Sequence, residues 1–364
     1  MIDPHVHLRD GQKQRHKETV KHGLYVAWKA GVDAVFEMPN TSPELVSRET
    51  IEDRIKLADH AIEELKREHP KFKIWHGLYA GVTPDPEQIK KIIEIYNDHR
   101  LKKQRVVGLK MFAGKSVGDL EIIEEEKQRL VYETLSELGY EGVLAVHCEK
   151  EAYMDSRLWN PENPFTHTIA RPPKAEVESV MDQITYAENS GFKGTFHVCH
   201  VSVPETLETI EIAREDVGFK ITCGLTPHHA MLYNSLMMGE NGLYLKMNPP
   251  LRPIEMQEKM LQALIDGRID WIESDHAPHT LAEKLGKDLD RNGNPTYASG
   301  IPGLPFIPRF INRLVKRGLS PSRIDDLTHN NIEKTFCIQI NRSYKLGSPR
   351  LAGEYEFDPF KNVK

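Results

Sequence analysis

The chain opens Met1-Ile-Asp-Pro-His-Val-His-Leu-Arg9. Ile2 to Leu8 reads as a β-strand, in which residues two apart project from the same face. His5 and His7 therefore sit side by side. Two imidazoles so placed form half of a metal site, and the same pattern also fits an amphipathic strand with two solvent-facing histidines. Whether later strands bring further ligands to the same end of a sheet decides between the two.

Short β-branched runs alternate with longer amphipathic ones down the chain. Further strands are predicted at 33–38, 72–80, 106–112, 142–147, 194–201, 219–223 and 269–275. Helices are predicted at 17–30, 48–68, 86–99, 119–138, 174–190, 203–214, 254–266 and 304–316. Strands alternating with helices in this way specify an α/β fold, a (β/α)8 barrel of the TIM type. The barrel is expected over 1–330, with 331–364 a short C-terminal extension packed on it. The stretch 276–302 is long, charged and rich in Gly and Asn, which marks a functional loop.

A length of 364 residues is ordinary for such a barrel. A net charge of -6 excludes a global electrostatic case for nucleic acid. No apolar run approaches the ~18 residues that cross a membrane. The N-terminus runs straight into strand 1 without a secretory signal, so a cytoplasmic protein is expected. Cys148, Cys199, Cys223 and Cys337 lack paired spacing and read as reduced thiols. The three in apolar strand-like runs are expected to serve packing.

Barrel enzymes hold their sites at the C-terminal ends of the strands. There this sequence places His5 and His7 on strand 1, Lys110 on strand 4, His147 on strand 5, His200 on strand 6 and Asp275 on strand 8. Singly, each has a plainer reading. A strand-end histidine serves as a hydrogen-bonded surface residue, Lys110 as a snorkelling edge residue, Asp275 as a helix cap. Together at one mouth they read as a site. Imidazoles with a carboxylate suit zinc, whereas Mg and Ca prefer oxygen. A lysine ammonium has no lone pair and cannot ligate.

These residues sit in motifs that resemble the amidohydrolase superfamily and, within it, the dihydroorotases. The motifs are Asp3-Pro-His-Val-His-Leu-Arg9, Met38-Pro-Asn40, Lys110, His147-Cys-Glu149, His200-Val-Ser202, Thr226-Pro-His-His229, Asn248-Pro-Pro-Leu-Arg252 and Asp275-His-Ala-Pro-His279. They span almost the whole chain in family order. The resemblance implies two Zn ions per chain, one held by His5, His7 and Asp275, the other by His147 and His200. It implies that Lys110 is carboxylated by CO2 and bridges them. It makes Asp275 the catalytic acid/base, and Arg9, Asn40 and His279 the grip on a substrate carboxylate, with Asn248 near the substrate ring. His200 rather than His197 is the implied ligand, because it directly precedes Val-Ser. The implied reaction is reversible opening of dihydroorotate to N-carbamoyl-aspartate in pyrimidine biosynthesis. A small-molecule substrate and a homodimer follow from the same resemblance.

The chain also departs from the family. Many relatives carry a strand-rich segment before His-x-His, which is expected to be absent here. The loop 113–118 after Lys110 is short and lacks a threonine pair, so 276–302 is expected to supply part of the cover over the site. The rivals are dihydropyrimidinase, hydantoinase or allantoinase activity, and a non-catalytic scaffold; the intact ligand set speaks against the last.

Overall fold

A computed structural model describes residues 1–98, 105–115, 120–289, 293–343, 347 and 351–361. Eight parallel strands follow one another in sequence order: β1 (Ile2–Val6), β2 (Ala34–Glu37), β3 (Trp75–Gly81), β4 (Val106–Ala113), β5 (Val143–Cys148), β6 (Thr195–Val198), β7 (Lys220–Leu225) and β8 (Trp271–Ile272). The ring closes through a looser seam. His7 N donates to His276 O at 2.7 Å, and Ser274 N donates to the Asp3 carboxylate at 3.0 Å. The expected barrel is the observed one.

Helices cover the outside at Val20–Lys29, Arg48–Glu68, Pro86–Tyr96, Glu125–Glu137, Pro173–Ser190, Pro204–Asp216, Ile254–Ile265 and Ile307–Lys316. Sequence chemistry fixes several of their starts. Thr19 and Ser47 accept the backbone N–H groups of His22 and Thr50, and proline occupies the first turn at Pro86, Pro173 and Pro204. The fourth helix begins at Glu125, later than expected; Asp119 and His99, the outer ends of two expected helices, lie outside the described residues. The last expected strand shrinks to Trp271–Ile272, and the sixth stops at Val198. Both are cut short where the chain turns left-handed, at Asp275 (φ 43°) and His200 (φ 39°).

Apolar residues divide into two cores. Val6, Leu8, Leu109, Met111, Leu144 and Val198 face outward and pack under the helices. Ile2, Phe36, Tyr79, Val107, Val143 and Trp271 face inward. Phe336, from the helix Asn331–Phe336, plugs the base with its ring 5.0 Å from Phe36 and 5.9 Å from Trp271.

Two bulges decide what faces the barrel axis. Along β1 the register runs from Asp3↔Val35 to Val6↔Glu37, one residue more on β1 than on β2. Along β4 it runs from Leu78↔Val106 to Tyr79↔Gly108, again with one extra residue. One extra residue exchanges the two faces of a strand. Ile2 and Val107 thus point inward below the bulges, and His5, His7 and Lys110 point inward above them. Gly108 marks the second bulge: a Cβ there would lie 2.8 Å from the Val143 carbonyl oxygen.

A buried ion pair supports the exit of β1. Glu37, fully buried, accepts from Arg54 Nε at 3.0 Å and from His76 Nε2 at 2.9 Å, and Arg54 Nη2 also donates to the Arg9 carbonyl. Burial alone would raise the Glu37 pKa, but Arg54 and His76 hold it down at about 2. A depressed carboxylate stabilises the fold above its unfolded pKa and loses that contribution as pH falls through its folded value. Glu37→Gln is expected to cost roughly 3 kcal/mol at pH 7 in denaturant unfolding. The deficit relative to wild type should shrink as pH falls from about 4.5 towards 2.

Candidate active site

At the C-terminal rim His5, His7, Arg9, Asn40, Lys110, His147, His200, Asn248 and Asp275 line one open cavity of about 420 Å³, with Phe112, Ala277, Ser299 and Gly300 completing its wall. All the expected site residues except His279 line it.

The donors converge in two groups. Asp275 Oδ1 is 3.3 Å from His5 Nε2 and 3.1 Å from His7 Nε2, and one ligand atom from each of the three lies within 4.8 Å of the others. His147 Nδ1 and His200 Nε2 face each other at 3.1 Å. Outer ring nitrogens are held by oxygens: His5 Nδ1 by Glu273 at 3.3 Å, His7 Nδ1 by Asn40 Oδ1 at 2.7 Å, His147 Nε2 by Glu149 at 3.0 Å. Glu149 is in turn gripped by Arg171. An imidazole whose outer N–H is fixed this way presents the lone pair of its other nitrogen inward. His200 Nδ1 is buried without a hydrogen-bond partner. Converging imidazole and carboxylate lone pairs fit one cation at each group, and the donor types suit zinc.

Burial and the close partners set the charge of each group. Burial lowers His7 to about 4 and holds His200 well below its ordinary value, so both rings are neutral at pH 7. Burial opposes ionisation of Asp275, but His7 and His5 beside it hold its carboxyl well below the usual range. His5 differs: burial would lower it, yet hydrogen bonds to Cys199 and Glu273 keep it at about 10.

Lys110 is buried, with Nζ 3.0 Å from Cys199 Sγ. Cys199 is thus part of the polar interior as well as the packing. Burial would raise its thiol pKa, but Lys110, His197 and His5 bring it down to about 5. His197 lies beneath the cavity, stacked 4.3 Å from the Trp271 ring. His229 bonds to Thr226 and the Pro249 carbonyl, and His276 to Glu18 and Tyr355.

Arg9 (φ 53°), His200 and Asp275 all adopt left-handed backbone, which non-glycine residues avoid at a cost of about 1–3 kcal/mol each. Specific bonds hold them there. Arg54 donates to the Arg9 carbonyl, His200 N donates to Glu273 at 2.6 Å, and Ser274 beside Asp275 is tied to Asp3.

Arg9 lies on the substrate side, 2 % exposed, and forms no ion pair among the described residues. Its Nε donates to Pro278 O at 3.2 Å and its Nη2 lies 3.0 Å from His279 Nε2. His279 was expected to touch substrate. Here it is buried against Arg9, outside the cavity lining, and lies within hydrogen-bond distance of Glu283 and the Ser299 carbonyl. Asn40 lines the cavity while holding His7. Asn248 Oδ1 is 3.0 Å from His167 Nε2, a buried histidine that no motif marked. The insertion forms a tied wall. Fully buried Lys284 donates to the carbonyls of Lys246, Ala298 and Gly300 at 2.7–3.0 Å, which sets Ser299 and Gly300 against the cavity. Residues 290–292 of the insertion and 116–118 of the loop after Lys110 lie outside the described residues.

An eight-stranded parallel barrel with histidines, an aspartate and a lysine converging at its C-terminal rim defines an amidohydrolase-type barrel. Solved structures share that fold. The L-hydantoinase (dihydropyrimidinase) of Arthrobacter aurescens superposes with a TM-score of 0.77 at 22% identity, covering 96% of this chain and 73% of that one. A dihydroorotase of Campylobacter jejuni superposes with a TM-score of 0.67 at 17% identity, covering 93% and 84%. No family model matches the chain. Among curated proteins, the dihydroorotase of Macrococcus caseolyticus is 32% identical over 353 residues, 95% of this chain and 74% of the relative. That of Lactobacillus johnsonii is 31% identical over 290 residues, 79% of this chain and 61% of the relative. The chain belongs to the dihydroorotase family.

Two groups of converging imidazole and carboxylate donors should bind divalent metal and gain stability from it. Chelator treatment is expected to lower Tm and Zn²⁺ to restore it, with about 2.7 kcal/mol of stabilisation at a free concentration 100 times Kd. An unchanged Tm would contradict the fit.

Proposed function

We propose that the protein is a zinc-dependent dihydroorotase, hydrolysing the cyclic amide of dihydroorotate reversibly to N-carbamoyl-aspartate in pyrimidine biosynthesis. The observation that carries this reading is Arg9, a buried cation on the cavity wall with no carboxylate of its own among the described residues. An unpaired buried guanidinium is costly and calls for an anion. A ring bearing a carboxylate supplies one beside the donor groups, and a neutral ring such as dihydrouracil or hydantoin does not.

In this reading His5, His7 and Asp275 would hold one zinc and His147 and His200 the second, with Lys110, carboxylated on Nζ, as a ligand shared between them. Metal bound there would supply an acidified water and an electrophile for the scissile carbonyl. Asp275, ionised in its bonds to His5 and His7, accepts the proton of the attacking water and passes it to the ring nitrogen. The amide C–N bond breaks, the nitrogen leaves with the proton that Asp275 passed to it, and the water oxygen ends in the new carboxyl group, which ionises by releasing the second water proton to solvent. Arg9, held by Pro278 O and His279, binds the carboxylate that both substrate and product carry. Asn248, steadied by His167, faces the ring, and the Lys284-tied wall limits water.

Turnover should be assayed on dihydroorotate beside dihydrouracil, hydantoin and allantoin. Dihydroorotate alone is expected to turn over, and activity confined to a neutral ring would overturn the reading. Arg9→Met should lower kcat/KM for dihydroorotate on the order of 100-fold, mostly through KM. Asp275→Ala should lower kcat about 10³-fold or more; a kcat within threefold of wild type would remove Asp275 as acid/base.

A further inference from the structure

Beneath the cavity lies a carboxylate that neither the motifs nor the proposed chemistry uses. Glu273 is 1 % exposed and sits two residues before Asp275. Four donors from β1, β6, β8 and the turn after β6 converge on it: His5 Nδ1 at 3.3 Å, His197 Nε2 at 3.0 Å, Trp271 Nε1 at 3.0 Å and the backbone N–H of His200 at 2.6 Å. None is an ammonium or guanidinium. A buried carboxylate held this way is expensive unless all its lone pairs are used, so the arrangement calls for a reason.

Two of the donors belong to the two donor groups. His5 pairs with His7 and Asp275, and His200 faces His147. The bond to His5 fixes the ring so that Nε2 points at Asp275. The bond to His200 holds its backbone at φ 39°, the turn that swings the ring towards His147. The neighbouring strand makes room for the carboxylate. A Cβ on Gly224 of β7 would lie 2.3 Å from Glu273 Oε2, so any other residue there would displace it.

We propose that Glu273 is a positioning residue that couples the two halves of the metal centre, setting the His5 ring and the His200 backbone through one carboxylate. The proposal rests on the two-metal reading above. It makes the two sites fall together: displacing this carboxylate loosens a ligand of each cation at once.

The test is metal affinity rather than turnover. Metal-free wild type, Glu273→Gln and Gly224→Ala are titrated with Zn²⁺ against a competing chelator, with Co²⁺ absorption spectra recorded in parallel. Gln keeps the volume, but His5 and the His200 backbone bond to Oε1 while His197 and Trp271 bond to Oε2, so either orientation of the amide turns its NH2 on an N–H that can only donate, that of the His200 backbone or the Trp271 indole, and displaces the side chain. Gly224→Ala leaves the carboxylate chemistry intact and pushes it from β7, so it keeps the test open should Glu273→Gln fail to fold. Both variants are expected to weaken both zinc sites together, by about 10- to 100-fold, and to alter the Co²⁺ spectrum. Weakening of one site alone, or a fall in the metal-free Tm with both affinities unchanged, would overturn the coupling. Wild type holding fewer than two zinc ions would overturn the metal reading and the coupling with it.

Discussion

A charge taken out of water must be met by a partner, and the upper half of this barrel is built from groups that need one. Lower down, the interior is ordinary: Ile2, Phe36, Tyr79, Val143 and Trp271 close on Phe336. Above them His5, Lys110, His147, Cys199, His200, Glu273 and Asp275 are all buried. Each is answered by a neighbour, as Glu149 is by His147 and Arg171 and Glu37 by Arg54 and His76. Those that line the cavity are held by one another: the inner histidine nitrogens face Asp275 or a second histidine, and the Arg9 guanidinium has the Pro278 carbonyl and His279 but no ion pair among the described residues. Groups arranged this way suit cations on one side and an anion on the other.

Holding such groups requires backbone that a regular strand cannot supply. The bulges in β1 and β4 turn His5, His7 and Lys110 towards the axis. The left-handed residues at 9, 200 and 275 end their strands and redirect the chain at the rim. These irregularities are local costs, balanced by bonds from the side chains of Arg54, Glu273 and Asp3 to the backbone at or beside them. The helices and outer core are the rigid frame against which that strain is held.

Much of this was legible in the sequence. Alternating runs specified the barrel, and the residues near the expected strand ends specified which side chains share the mouth, although two strands stop short of those ends. The bulges were not legible, since one extra residue leaves no mark in a hydrophobic pattern. Gly108 was the nearest signal. Glu273, two residues before Asp275 in an apolar run, could have been noticed as a carboxylate on the inward face. Cys199 was read as packing because a thiol among apolar residues looks the same whether or not a lysine touches it. His279 was placed against substrate by resemblance; only coordinates show it one layer back, behind Arg9. His167 and Lys284 lie in segments without periodicity, where partners come from distant chain.

The two-cation centre is what the rim of the barrel is arranged around, and diffraction locates it without an intermediate. Crystals grown with zinc and bicarbonate would be measured on both sides of the zinc absorption edge. Two anomalous peaks are expected, one among His5, His7 and Asp275 and one between His147 and His200, with density extending from Lys110 Nζ towards both. A single peak, peaks away from these residues, or an unmodified Lys110 still bonded to Cys199 beside two occupied sites would contradict it.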